Sequence, residues 1–169
     1  KTENQTGKGY SLSRMSMSAY FMGNFNQALR LGEESLQLFE EIDHRWGIAS
    51  SLSRIGFAHL GLGKIELARD VFIQALQLSQ QEKMAPLSLY AMAGMACVRL
   101  QTGKMDPGLN LLGFVSNHPK MPKAFLDQAL CLMKEFDGAL LNNLSTGSNL
   151  IDQDDRFTNF VEEILLSSG

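Results

Sequence analysis

The sequence predicts an all-α protein built from antiparallel helix pairs, and three observations support this fold class. Tight turns containing glycine recur every 40 residues, at Gly23, Gly63 and Gly103. The helix before the turn recurs as well, because the run LSRM at 12–15 returns as LSRI at 52–55. Between the turns, apolar residues stand three and four apart, which is the spacing of a helix with one buried face. A fixed period of this kind is typical of a helical repeat array.

The clearest unit is the stretch 48–81, which predicts one helix, a tight turn and a second helix packed back on the first. Three of its residues, Gly56, Ala68 and Ala75, have little or no side chain, so the two backbones can approach closely. Phe72 is expected to fill the space beside them. Small residues therefore set the distance between the helices.

Five residues of this unit, Leu52, Gly56, Ala68, Phe72 and Ala75, follow the large-apolar, small, Ala, Phe and Ala pattern of the tetratricopeptide repeat, which the unit resembles. The resemblance implies an α-solenoid, a right-handed superhelix of antiparallel helix pairs with C-terminal capping helices. It also implies that the first helices of successive units line a concave groove. The 40-residue period exceeds the family's usual roughly 34 residues, and longer second helices are the expected reason.

The chain divides into three parts. Residues 1–9 are polar and aperiodic, so we predict a disordered lead-in. Residues 10–141 are predicted to hold three helix pairs and a capping helix that opens at Pro122. The polar side of that capping helix, facing water, would be Asp127, Gln128, Lys134 and Glu135. Residues 142–169 are predicted as a loop and a short helix at 157–166, which must dock on this chain or on a partner because it is too short to be stable alone.

Composition and charge exclude several classes of function. Hydrophobic residues make up 44% of the 169 residues and charged residues 20%, as in ordinary soluble domains. A net charge of −3 argues against direct binding of nucleic acid, which needs clustered basic residues. No apolar run approaches about 18 residues and no secretory leader is visible, so no membrane association is expected. Cys97 and Cys131 lie in apolar helical patterns and are expected to be free thiols, which fits a cytoplasmic protein.

No motif predicts catalysis, a cofactor or a metal site. The Gly-Lys pairs at 63–64 and 103–104 lack the loop and the Ser or Thr of a phosphate-binding motif. The three histidines, His44, His59 and His118, belong to different units, and two distant cysteines are too few ligands for zinc. The chain is therefore predicted not to be an enzyme.

The resemblance to the tetratricopeptide repeat assigns the residues of the peptide-binding groove. They are Tyr10, Ser13, Arg14, Met17, Tyr20, Phe21, Ser50, Ser53, Arg54, Phe57, Leu60, Tyr90, Ala93, Cys97, Leu100 and Gln101. The lining is apolar and aromatic, with Arg14 and Arg54 as a basic rim, whereas family members that clamp a chaperone's carboxylate tail have Lys and Asn there. Such a groove suits an amphipathic helix from a partner or from the same parent protein. The alternative is that Tyr20, Phe21 and Phe57 simply pack between adjacent units.

A narrower resemblance concerns the run LFEEIDHRWGIA at 38–49 and the Asn-His-Pro corner at 117–119. Both are similar to the C-terminal arrays of bacterial signal-transduction ATPases with numerous domains, including AfsR-like and LuxR-like transcriptional regulators. This resemblance implies a sensor or regulatory region of a larger protein, with upstream domains of the same chain as partners. The start at Lys1 rather than Met favours an excised piece. The alternative is a stand-alone scaffold that binds a helical or extended peptide, and homodimerisation is compatible with both.

Overall fold

The computed structural model describes residues 2–132 and 153–166, and within these ranges the chain consists of helices joined by short connections. The helices are α1 (Thr2–Phe21), α2 (Phe25–Glu41), α3 (Arg45–Gly61), α4 (Ile65–Gln81), α5 (Ala85–Gln101), α6 (Met105–Asn117), α7 (Lys123–Leu132) and α8 (Gln153–Leu166). Consecutive helices from α1 to α6 pack against each other, and α1, α3 and α5 also contact one another in order. The predicted all-α fold of antiparallel helix pairs is confirmed.

The lengths of the helices and of the turns between them together account for the 40-residue period. Each of the helices α2 to α5 has 17 residues, so the two helices of the second unit, α3 and α4, are equally long and the extra length is not confined to the second helix. Within the units, Gly23, Gly63 and Gly103 adopt φ values between 70° and 79°, which glycine reaches without a steric penalty. Asp43 and Lys83 take the same role between units, at φ 49° and 55°.

The second unit interlocks with the third through one aromatic ring. Phe72 of α4 is fully buried between Gly56 of α3 and Gly94 of α5. A Cβ atom added at Gly56 would lie 2.7 Å from the ring, and one at Gly94 only 2.2 Å from it. The close approach predicted around Phe72 therefore occurs on both sides of α4.

The N-terminal segment differs from the sequence prediction. Residues 1–9 were expected to be disordered, whereas α1 begins at Thr2. Gly9 is buried against the ring of Phe39 on α2, and its carbonyl oxygen accepts a 2.9 Å hydrogen bond from Ser35 Oγ. These contacts with α2 stabilise a segment whose own composition does not favour a helix.

The last helix docks on this chain, over the second helices of the array. It begins at Gln153, four residues before the predicted start, and contacts α4. Phe160 packs on Phe114 of α6 with ring centroids 5.1 Å apart, and Glu163 forms a 3.0 Å ion pair with Arg99 of α5. The rest of the predicted capping helix, 133–141, and the predicted loop up to residue 152 lie outside the described residues.

In the described ranges, none of the helices is both long and apolar enough to span a membrane.

Candidate functional site

The first helices α1, α3 and α5 form one face of the array, which we call the groove. Helix α7 contacts all three of these helices. The sequence predicted that α7 would close the end of the array, whereas it lies across the groove. The face expected to be open for a partner is therefore covered by a segment of the same chain.

Polar and aromatic contacts hold α7 in the groove. Tyr20 of α1 donates a 3.1 Å hydrogen bond to the backbone carbonyl oxygen of Gln128, and Tyr90 of α5 donates one to Gln128 Oε1. The Tyr90 ring also stacks on Phe125, with centroids 4.1 Å apart and planes inclined by 16°. Two tyrosines from the ends of the groove thus bind the same residue of α7.

Gln128 corrects a sequence prediction. It was expected to face water, but it is only 1% exposed. Its amide oxygen accepts a hydrogen bond from the hydroxyl of Tyr90, which is itself fully buried. Its neighbour Asp127 is exposed, as expected for the outer side of α7. The other two predicted outer residues, Lys134 and Glu135, lie outside the described residues.

An aromatic row crosses the groove and ends on α7. Phe57 of α3 lies between Tyr20, at 6.2 Å, and Tyr90, at 5.1 Å, measured between ring centroids. Tyr90 then stacks on Phe125 of α7. Each groove helix contributes one ring, and α7 contributes the fourth. Offset-stacked and edge-to-face pairs at these distances stabilise a packed surface beyond simple burial.

The predicted groove residues fall into three classes of exposure. The buried ones are Ser13, Tyr20, Ser50, Ser53, Arg54, Phe57, Leu60, Tyr90, Ala93, Cys97 and Leu100. Met17 and Gln101 are half-buried, while Tyr10, Arg14 and Phe21 are exposed. The alternative of packing between units holds for Tyr20 and Phe57. Binding of a peptide by these residues stays a prediction.

Three side chains of the groove keep their protons because they are buried. Burial raises the pKa of Tyr20 and of Tyr90 above the ordinary range, although the nearby Arg54 charge lowers the Tyr90 pKa in part. Burial also raises the pKa of the Cys97 thiol to about 12. The two tyrosines therefore remain hydrogen-bond donors at neutral pH, and the Cys97 thiol is not activated as a nucleophile.

The two predicted rim arginines lie in different environments. Arg14 is exposed, but Arg54 on α3 is only 7% exposed. Its Nε and Nη1 atoms are buried and have no hydrogen-bond partner among the described residues. Arg54 is therefore a buried residue of α3, which does not fit the predicted basic rim.

Sequence reasoning missed the residues of α7 that occupy the groove. Phe125 and Gln128 bind the tyrosines, and the carbonyl oxygen of Ala129 lies 3.8 Å from Cys97 Sγ. The available signal was the position of Gln128, three residues after Phe125 and thus on the apolar side of the helix. A glutamine on such a face needs a buried partner.

The described residues include no group of three or more histidine, cysteine or acidic side chains arranged to hold a metal ion. Cys97 and Cys131 are free thiols, the first buried and the second half-buried. Burial lowers the pKa of His59 and of His118.

Comparison with known proteins agrees with this geometry. The family model described as tetratricopeptide repeat matches residues 9–81, which span most of α1 and all of α2, α3 and α4. No curated protein matches the chain. Repeats of this type generally act as non-catalytic modules that bind proteins or peptides. The matched range covers less than half of the chain, and the adjacent packing of its helices is consistent with tetratricopeptide repeats there.

Proposed function

We propose that this chain is a non-catalytic interaction module that binds a helical segment of another protein in the groove, at the place that α7 occupies. One observation supports the proposal: the groove already binds a helix. Tyr20 and Tyr90 of the groove donate hydrogen bonds to Gln128 of α7, and the Tyr90 ring stacks on Phe125 of α7. Binding of an amphipathic helix in an apolar groove is a recurring mode of peptide recognition. Helix α7 is then a stand-in for the partner.

The contacts of α7 are few enough for a partner to replace it. Helix α7 has 10 described residues, which is too short for a helix to be stable in isolation. Its two tyrosine hydrogen bonds and one aromatic stack contribute on the order of 2–4 kcal/mol together. Tethering adds an effective concentration in the millimolar range, so a partner helix must bind more tightly than α7 does.

The test uses a fluorescent peptide of sequence MPKAFLDQALCL, which copies residues 121–132. We expect it to bind the Phe125→Ala chain at least about 10-fold more tightly than the unaltered chain, because the variant loosens the competing segment. Fluorescence anisotropy measures the affinity, and Asp127→Ala, at an exposed neighbouring position, is the control that should leave it unchanged. If the peptide does not bind a Phe125→Ala chain of unaltered helix content, the proposal is wrong.

For the parent protein, we infer the sensor or regulatory array of a larger bacterial signalling or transcription-regulating protein. The resemblance of 38–49 and 117–119 to such arrays supports this inference, and so does a groove covered by its own chain, which suits a regulated surface. The free thiols Cys97 and Cys131 favour the cytoplasm. The second candidate is a stand-alone scaffold, favoured by a groove that takes a whole helix.

The two candidates differ in the mass of the native polypeptide. An antibody against this chain would detect a species near 18.7 kDa if the protein is a stand-alone scaffold. A species several times larger would support the array of a multidomain regulator. Light scattering of the purified chain would add the oligomeric state, since exchange of α7 between two copies would double the mass without changing the groove.

A further inference from the structure

Tyr90 contacts two residues of α7 at once. Its ring stacks on the Phe125 ring, and its hydroxyl donates a hydrogen bond to Oε1 of Gln128. Phe125 and Gln128 are three positions apart, so they are neighbours on one side of the helix. Tyr90 is fully buried and its ring also stacks on Phe57 of α3, which restrains its position. One side chain of the groove thus contacts an aromatic ring and an amide of the bound helix.

Tyr20 makes a different kind of contact with the same residue of α7. Its hydroxyl donates a 3.1 Å hydrogen bond to the backbone carbonyl oxygen of Gln128. Every residue has a backbone carbonyl oxygen, so this bond can hold a helix of any sequence. The bond from Tyr90 is selective, because its acceptor is a side-chain oxygen that most residue types lack.

Resting on the proposed function, we propose that Tyr90 is the specificity-determining residue of the groove. It selects a partner helix in which an aromatic residue is followed three positions later by glutamine. The ring of Tyr90 binds the aromatic residue and its hydroxyl binds the glutamine, while Tyr20 holds the backbone of the helix. Helix α7 carries this pattern as Phe125 and Gln128, and a partner that replaces it carries the same pattern.

The selection depends on the burial of the Tyr90 hydroxyl. Burial raises the pKa of Tyr90, so the hydroxyl stays protonated and remains a donor at neutral pH. A helix with leucine in place of glutamine would be similar in volume but would offer this donor no acceptor. A buried donor that loses its partner has no water to replace it, and the cost makes such a helix the weaker competitor.

The experiment is a double-mutant cycle, measured by fluorescence anisotropy on the full chain carrying Phe125→Ala. The parent peptide is MPKAFLDQALCL, and a second peptide has leucine in place of its glutamine. We expect the parent peptide to bind about 10-fold more tightly than the leucine peptide. This preference should disappear when Tyr90→Phe is added. Tyr20→Phe is the matched control, because it should weaken both peptides and leave the preference unchanged.

A second series changes only the peptide, and it decides the question if a tyrosine variant fails to fold. Asparagine in place of the peptide's glutamine keeps a neutral amide but withdraws its oxygen by one methylene group, so we expect about 10-fold weaker binding. Leucine in place of the peptide's phenylalanine should also weaken binding, since the stack on Tyr90 is lost. Asparagine in place of the peptide's aspartate should have no effect, because Asp127 is exposed on α7.

Two results would overturn the proposal. One is equal binding of the glutamine, leucine and asparagine peptides, and the other is a preference for glutamine that persists in the Tyr90→Phe chain. In both cases binding of the parent peptide leaves the proposed function standing. If the parent peptide does not bind at all, the proposed function fails together with the selection by Tyr90.

Discussion

Phe72 shows how single residues set the spacing of the array. Its ring lies between Gly56 and Gly94, which belong to first helices of consecutive units. A side chain of any size at either glycine would occupy the volume of the ring. The distance between units therefore depends on the absence of a Cβ atom at two positions.

The variant Gly94→Ala tests this dependence. The added methyl group would lie 2.2 Å from the Phe72 ring, so we expect a loss of about 1–3 kcal/mol in the free energy of unfolding. Gly7→Ala is the matched control, since Gly7 is exposed within α1 and nothing lies within 4 Å of its added Cβ. There alanine should stabilise by about 0.5–1 kcal/mol. Urea unfolding of both variants measures the difference, and equal effects would contradict the account.

At the scale of elements, α7 and α8 lie on different faces of the array. Helix α7 contacts the first helices α1, α3 and α5, whereas α8 contacts α4 and packs on Phe114 of α6. The first is held through a buried glutamine, and the second through an aromatic pair and the ion pair between Glu163 and Arg99. The groove is thus covered by one short helix, whose attachment centres on Gln128.

Replacement of Gln128 by alanine should release α7 without unfolding the array. The Tyr90 hydroxyl would lose its acceptor, and a buried donor left unpaired costs about 1–3 kcal/mol. We expect faster hydrogen exchange at the backbone amides of 123–132 and unchanged exchange in α3 and α4. Asp127→Asn, at the exposed neighbouring position, should change neither. Equal exchange in α7 before and after Gln128→Ala would show that the helix is held by other contacts.

At the scale of the whole molecule, stability depends on groups that must stay uncharged. Tyr20, Tyr90 and Cys97 come from two helices and meet at the covered groove. Burial raises the pKa of each of them, so the folded chain holds these protons more tightly than the unfolded chain does. The stability that this preference contributes is complete at neutral pH and is lost as the pH rises.

The free energy of unfolding should therefore fall in alkaline solution. The unfolded thiol ionises from about pH 9 and the unfolded tyrosines from about pH 10, while the folded groups remain neutral. Because the unfolded state then binds fewer protons, the equilibrium shifts toward unfolding as the pH increases. Urea titrations from pH 7 to pH 11 measure the slope. Tyr90→Phe should reduce it, and a slope unchanged by that substitution would rule out Tyr90 as a source.

The sequence by itself determined the repeating part of this protein. The 40-residue period, the turn glycines and the small residues around Phe72 are local or regularly spaced signals, and each predicted feature of that kind appears in the structure. Such signals act through helix periodicity and backbone sterics, which depend on residues close together in the chain.

Only the tertiary structure decided which parts of the chain cover the array. Helix α7 meets Tyr20 through Gln128, a residue 108 positions away. The helical start at Thr2 likewise depends on contacts with α2. An amphipathic pattern shows that a helix has a face to bury, but not against which surface. That choice depends on the shape and the unpaired groups that the folded array presents.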